Sequence, residues 1–537
     1  MSRRDEARVQ SAAFAERGVR QAIAYETWFR RAQAGETMPL SEAVARVNDG
    51  ATSAVFVAAD GSPFGIGEDE HVQMLINGPP NVGKTSLVHS LLCEKILAAA
   101  LRSVRIAQSR GIGLDVVPLD LEILALDPKE DAQLLKARIA ALYRRASDDI
   151  RRVLRGAFAR QEAIGEETSI RPITRRWPGV SVEIQADVQA STIAQTDPSD
   201  WSEGMRHMLY QTLRLIIYRG DPADELHITR LLRDETYRRS LLIAGVPPEL
   251  AYYFAHLKDH VAPQTVVALI RRLQKLFSFR HVRAMLGLAP ADAAVAGGKP
   301  RRVTIVDVGV RTALPPSVRI AQANTVITEL GLTAGNRDRS VWLVAFIEEA
   351  LWLLSKDSAL LARFIDQIRV MRSARVACWI ALQRLESLPA STVEELLENA
   401  GAVVSFRSGG ALVDALFRHL HIAPSDLRRD ADRRVAFQRE MESLPPQEVV
   451  VWRKSAPAVR ARVRTAPGLD GVPEAELVQQ FNEELAPGTT MSLDEAERRI
   501  AAWRERNLPP EPKALGPSGS FPNAPSADEI FGTEDEP

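Results

Sequence analysis

Cysteine is nearly absent: only Cys93 and Cys378 occur in 537 residues, each inside an apolar run. That excludes a disulfide scaffold and favours a reducing, cytoplasmic setting. Aromatic residues make up only 6%, and no apolar run approaches the roughly 20 residues that a membrane-spanning helix needs. The N-terminus, Met1-Ser2-Arg3-Arg4-Asp5-Glu6, leads into mixed residues without the hydrophobic stretch of a signal peptide. The expectation is therefore a chain with no intrinsic membrane segment. Excess charge is missing too. With 68 basic and 69 acidic residues the net charge is −1, so any polyanion-binding surface must be a local patch. The remainder, 45% hydrophobic and 26% charged, is ordinary for a globular protein, and the length allows more than one domain.

Short apolar runs of strand character recur at Thr52–Val57, Val72–Ile76, Leu121–Leu126, Val303–Val306, Trp342–Ile347, Ala377–Leu382 and Val403–Phe406. They alternate with helical stretches, which predicts an α/β fold with a mostly parallel sheet covered on both faces. Residues 1–50 read as an N-terminal helical segment, and 51–130 and 296–465 as two parts of the core. Residues 131–295 read as an all-helical insertion, in which Met205, Met208, Leu209, Leu213, Ile216 and Ile217 line one helix face. Residues 466–507 read as two short helices, the second opened by a Ser492…Glu495 capping box. From 508 to 537 Pro, Gly, Ser and acidic residues dominate, which predicts a disordered acidic tail.

The strongest chemical signal is Gly78-Pro79-Pro80-Asn81-Val82-Gly83-Lys84-Thr85, followed by Ser86, a full match to GxxxxGK[ST]. Glycines let such a loop turn its N–H groups toward phosphate oxygens, and the following helix adds the positive end of its dipole. In this pattern Lys84 reaches the β- and γ-phosphates and the Thr85 hydroxyl ligates Mg²⁺, so ATP and Mg²⁺ are the expected cofactors. The buried strand before the loop and the helix-forming run after it are what this chemistry requires.

Nucleotide hydrolysis also needs an acid on a nearby strand. Two strand ends compete: Val303–Val306 followed by the single Asp307, and Trp342–Ile347 followed by Glu348 and Glu349. The second is favoured, because adjacent carboxylates can divide the work, Glu348 toward the metal and Glu349 toward the attacking water. Ala377–Leu382 ends in Gln383, which either senses the γ-phosphate or simply closes the strand. Arg372 and Arg375 precede that strand, either as surface cations or as a finger reaching a neighbouring subunit's ATP.

Together these segments resemble the HerA/FtsK superfamily of ring-forming, DNA-pumping ATPases, including TraG/TraD-like conjugation coupling proteins. The resemblance lies in Gly61–Gly67 with His71-Val72 before the P-loop, in Leu124–Leu126 followed by Asp127-Pro128-Lys129, and in Phe346–Leu354 around Glu348-Glu349. Gln383-Arg384 with Asn399 and Arg407 resembles the motif that follows. The resemblance implies a RecA-like P-loop core with a helical domain before the acidic strand. It also implies Glu349 as the catalytic carboxylate, Gln383 as the sensor, and Arg372, eleven residues before Gln383, as the trans finger. Two positions depart from the pattern: Glu348 stands where an Asp is usual, and the loop filling is Pro-Pro-Asn-Val.

The implied activity is a homo-hexameric motor translocating double-stranded DNA, with a nuclease, secretion or conjugation partner. Two basic clusters suit phosphate contact: Arg138, Arg144, Arg145, Arg151, Arg152, Arg155, Arg160, Arg171, Arg175 and Arg176, then Arg271, Arg272, Lys275, Arg280 and Arg283. Helical arginines equally form a solvated face of ion pairs. An ATPase driving protein assembly or secretion, and a nucleotide-gated scaffold, stand as alternatives.

Overall fold

The computed structural model describes residues 52–58, 63–67, 73–127, 131–169, 175–196, 201–242, 245–290, 299–349, most of 364–416, 427–453, 456–463 and 468–509. The expected N-terminal helical segment, the acidic tail, Arg171, Arg372 and Arg384 lie outside the described residues. In chain order the strands are β1 (Thr52–Ala58), β2 (Pro63–Gly67), β3 (Gln73–Asn77), β4 (Glu122–Asp127) and β5 (Phe158–Gln161). There follow β6 (Ala163–Ile164), β7 (Glu167–Ser169), β8 (Val303–Asp307), β9 (Leu343–Ile347) and β10 (Val376–Leu382). The last are β11 (Ala402–Ser405), β12 (Glu448–Arg453), β13 (Ala456–Arg462) and β14 (Thr490–Ser492). Each strand expected from the sequence is present, displaced by no more than a residue at either end.

Eleven strands form one sheet in the order β2-β1-β13-β12-β11-β3-β10-β9-β4-β8-β5. The seven from β11 to β5 run parallel, and β12, β13, β1 and β2 extend the sheet antiparallel. Strand alternation divides the apolar side chains between two cores. Met74, Ile76, Val344, Phe346 and Trp379 join the Lys84–Arg110 and Asp131–Arg145 helices on one face. Leu75, Ala345, Ile347, Cys378 and Ile380 join the Pro316–Thr333 and Ala390–Asn399 helices on the other. Both faces are covered, as near-continuous apolar strands require. Cys93 and Cys378 are free and buried, and burial pushes both thiols up to about 12.

The helical interval packs the Val182–Thr196, Glu203–Arg219, Pro263–Phe277 and Arg280–Gly287 helices around Met205, Met208, Leu209, Leu213, Ile216 and Ile217. It is not helical throughout. β5 pairs with β8 as the edge of the main sheet, and β6 and β7 join β14 in a small three-stranded sheet. These strands are two to four residues long and partly charged, too short for a period of two to stand out. The charges are buried in pairs: Glu162 accepts from Lys136 and from Arg160 Nη1 (2.7 Å), and Arg160 continues to Glu167 and Thr490.

The expected C-terminal helices are Glu474–Gln480, which runs on as a wider turn through Leu485, and Leu493–Asn507. Ser492 Oγ caps the second by accepting from the Glu495 N–H at 3.1 Å. Both helices fold back onto the body. Tyr143 Oη donates to Glu484 (2.7 Å), and Arg504 donates to the buried Asp224 (2.6 Å). Among the described residues no helix is long and apolar enough to cross a membrane. Leu213 is fully buried in the helical layer, so Leu213→Ala should lower unfolding free energy by about 2–5 kcal/mol in denaturant titration.

Candidate functional site

β3 is buried at every position and ends at Asn77, so Gly78 leaves the sheet among packed neighbours. A Cβ at Gly78 would lie 2.6 Å from Phe406 Cβ, so no larger residue fits without moving the loop. Gly83 takes φ 109°, a left-handed conformation that lets the backbone turn directly into the helix at Lys84. Asn81 also has positive φ (62°), a region in which asparagine is well tolerated. Pro79 and Pro80 carry no N–H, so the loop's donors toward an anion come from Asn81 onward. Two distant segments brace the loop: Gly78 N–H donates to Leu382 O (3.3 Å), and Gln447 N–H donates to Val82 O (3.1 Å).

Lys84 is buried, and its ammonium donates to the loop's own carbonyls, Gly78 O at 2.5 Å and Pro79 O at 2.6 Å. Thr85 Oγ1 donates to Glu348 Oε1 at 2.8 Å. Glu348 is 1% exposed, and its N–H is fixed by Leu126 O (3.0 Å) on the neighbouring strand. Glu349, also buried, has φ 50°. That left-handed turn breaks the strand alternation, so two successive carboxylates are not obliged to leave on opposite faces.

The sheet order explains which acid arrives. β9 lies two strand positions from β3, roughly 10 Å, whereas β8 lies four away. The fold therefore brings Glu348 to the P-loop and leaves Asp307 distant. The Asp307 carboxylate is held by Gly309 N–H (2.9 Å) and Gln133 (3.2 Å), and burial raises its pKa above the ordinary range. Between β3 and β9 stands β10, whose last residue pairs with Asn77, so Gln383 follows at the strand end between loop and acids. Arg375 is exposed just before the other end of β10, at the end of the parallel strands away from the P-loop.

Hard oxygen donors in this arrangement fit magnesium, which characteristically takes one or two carboxylates together with substrate phosphates and water. Thr85 Oγ1 and Glu348 supply that set without a dedicated cage. Among the described residues no group of three or more His, Cys, Asp or Glu forms a separate metal site.

The arginines considered for phosphate contact are largely engaged inside the chain. Arg138 donates to His89 Nδ1 (2.9 Å). Burial and this guanidinium push His89 down to about 3, so the ring is neutral. Arg144 meets Glu476 (2.6 Å), Arg152 meets Asp115 (2.5 Å), and Arg145, Arg151 and Arg175 pair with Asp470, Asp148 and Glu329. Arg155 reaches Glu484 and Arg176 the Tyr218 carbonyl. In the second cluster Arg272 lies over Trp201, and Arg280 and Arg283 bind Glu497. Arg271 is exposed. Sequence reasoning also missed Phe406 and Gln447, whose contacts with the loop carry no local signal.

Fold and loop together place the chain in the RecA-like α/β P-loop class. No protein-family profile matches the chain, and no curated protein matches it. Among solved structures it is similar to VirB4 of Thermoanaerobacter pseudethanolicus, with a TM-score of 0.51 and 14% identity, covering 78% of this chain and 98% of that one. The bacterial conjugative coupling protein TrwBdeltaN70 superposes at 0.43 with 12% identity, covering 79% and 92%. The cytoplasmic domain of the Thermomonospora curvata type VII secretion ATPase EccC superposes at 0.32 with 14% identity, covering 81% and 31%.

Because a methyl group at Gly78 collides with Phe406, Gly78→Ala should weaken nucleotide binding on the order of tenfold, about 1.4 kcal/mol. Titration with a fluorescent ATP analogue reads this directly, and unchanged affinity would contradict the packing argument.

Proposed function

We propose that the chain is a magnesium-dependent ATPase that couples hydrolysis to movement of a polymer, acting as a homo-hexameric ring. One observation carries the reading: the 2.8 Å contact between Thr85 Oγ1 and Glu348 Oε1, beside Lys84 in a complete P-loop. The N–H groups from Asn81 to Thr85 receive the phosphates, and Lys84 exchanges its loop carbonyls for β- and γ-phosphate oxygens. Thr85 Oγ1 and Glu348 would hold magnesium, which when bound would supply neutralisation of the phosphate charge. Glu349 orients the attacking water and accepts its proton. Gln383, at the strand end between them, hydrogen-bonds the γ-phosphate and registers its loss. A cation from a neighbouring copy, Arg372 or Arg375, completes the site.

The substrate reading is double-stranded DNA, supported by the resemblance of the Asp127-Pro128-Lys129, Glu348-Glu349 and Gln383 segments to DNA-pumping ATPases. The internal pairing of the helical arginines favours a second reading, a motor acting on a protein chain during assembly or secretion. ATPase turnover with and without long duplex DNA at low salt separates the two, since phosphate contact is strongest there. Stimulation supports the DNA reading. Unchanged turnover removes it and leaves the ATPase intact.

Glu349→Gln should reduce hydrolysis at least about a hundredfold while ATP stays bound. Phosphate release and nucleotide titration on the same preparation check this. An unchanged basal rate would sink the catalytic role.

A further inference from the structure

Arg337 has no place in the sequence motifs, yet its guanidinium reaches four acceptors at the end of the strands opposite the P-loop. Its side chain is 10% exposed. Nη1 donates to Val341 O at 2.8 Å and lies 3.4 Å from both Ala374 O and Arg375 O, while Nη2 donates to Glu122 Oε2 at 2.5 Å. The other Glu122 oxygen takes Arg302. Strand pairing already fixes the neighbouring backbone, through Leu343 N–H to Arg375 O (3.0 Å) and Glu122 N–H to Trp342 O (2.8 Å). Arg337 adds a partly shielded, charge-assisted hold on one turn, Ser373–Arg375, through its 3.4 Å approaches to Ala374 O and Arg375 O.

That turn is strained and outward-facing. Arg375 has φ 54°, unfavourable for a long side chain and kept only where surroundings enforce it, yet the residue itself is exposed. Eight residue steps along β10 separate it from Gln383, roughly 26 Å, far beyond what an arginine side chain can span. Any action of Arg375 on ATP is therefore on another copy's ATP.

We propose that Arg337, anchored by Glu122, is a positioning residue that sets the Ser373–Arg375 turn so that Arg375 meets the nucleotide of the adjacent subunit. This rests on the reading of the chain as a ring ATPase. Shielding the clamp and exposing the cation separates the holding from the chemistry, in which a misplacement of about 1 Å costs on the order of a hundredfold in rate.

The test uses full-length variants. Arg337→Gln leaves the Glu122 carboxylate paired with Arg302. Its kcat should fall on the order of a hundredfold with nucleotide affinity unchanged. Glu122→Gln, which keeps an acceptor oxygen, is read the same way and guards against misfolding of the first variant. Each is then mixed before assembly with Lys84→Ala, which has a dead P-loop and an intact turn. Arg375→Ala mixed with Lys84→Ala is the reference. Activity of the mixtures well above the sum of their components supports the proposal, because intact turns then serve intact P-loops in adjacent copies. Recovery in the Arg375 mixture without recovery in the Arg337 and Glu122 mixtures overturns the positioning role. Recovery in none of them overturns the cross-subunit reading on which it rests.

Discussion

The hydrogen bond from Thr85 to Glu348 joins residues 263 positions apart, and much of the fold can be read as what keeps it short. The loop is tied to β10 by Gly78 and to the segment before β12 by Gln447, while Glu348 is tied to β4 through its own N–H. Each tie is a backbone bond, so the distance depends on sheet register and only weakly on side-chain flexibility. Placing β10 between the loop strand and the acidic strand leaves roughly 10 Å between their axes, room for a phosphate group and a cation. A closer pairing of β3 and β9 would fill that space with backbone.

Some charge is used inside this molecule. Lys136, Glu162 and Arg160 form a buried group where β5 closes the main sheet, joining the helical layer to the core. Arg144, Arg280 and Arg504 fasten the C-terminal helices to earlier segments through carboxylates. Breaking one partner of a buried pair costs far more than the pair contributes, so the Lys136–Glu162–Arg160 group enforces one arrangement of the layers where it sits, while the half-exposed Arg144 and Arg280 pairs add little.

Much of this was legible in the sequence, for identifiable reasons. The core strands are apolar runs bounded by turns, and both faces of the sheet are buried, so they stand out against polar connections. Gly78 and Gly83 mark the loop because only glycine meets its steric demands. The Glu348-Glu349 strand end could be preferred over Asp307, but sheet order supplies the reason, and order is a non-local property. Phe158–Gln161 was hidden in a helical background because a four-residue strand with a buried arginine has neither length nor apolar alternation. The arginine partners were equally hidden: Asp115, Glu476 and Glu497 are remote in sequence from the residues they bind.

The central claim, that Lys84, Thr85, Glu348 and Glu349 form one nucleotide engine, is tested most directly by a structure with magnesium and a non-hydrolysable ATP analogue. The account predicts a metal at about 2.1 Å from Thr85 Oγ1, with Glu348 bound to it directly or through one water, and Glu349 facing the γ-phosphate. A triphosphate seated elsewhere, or a metal held by neither Thr85 nor Glu348, would contradict it.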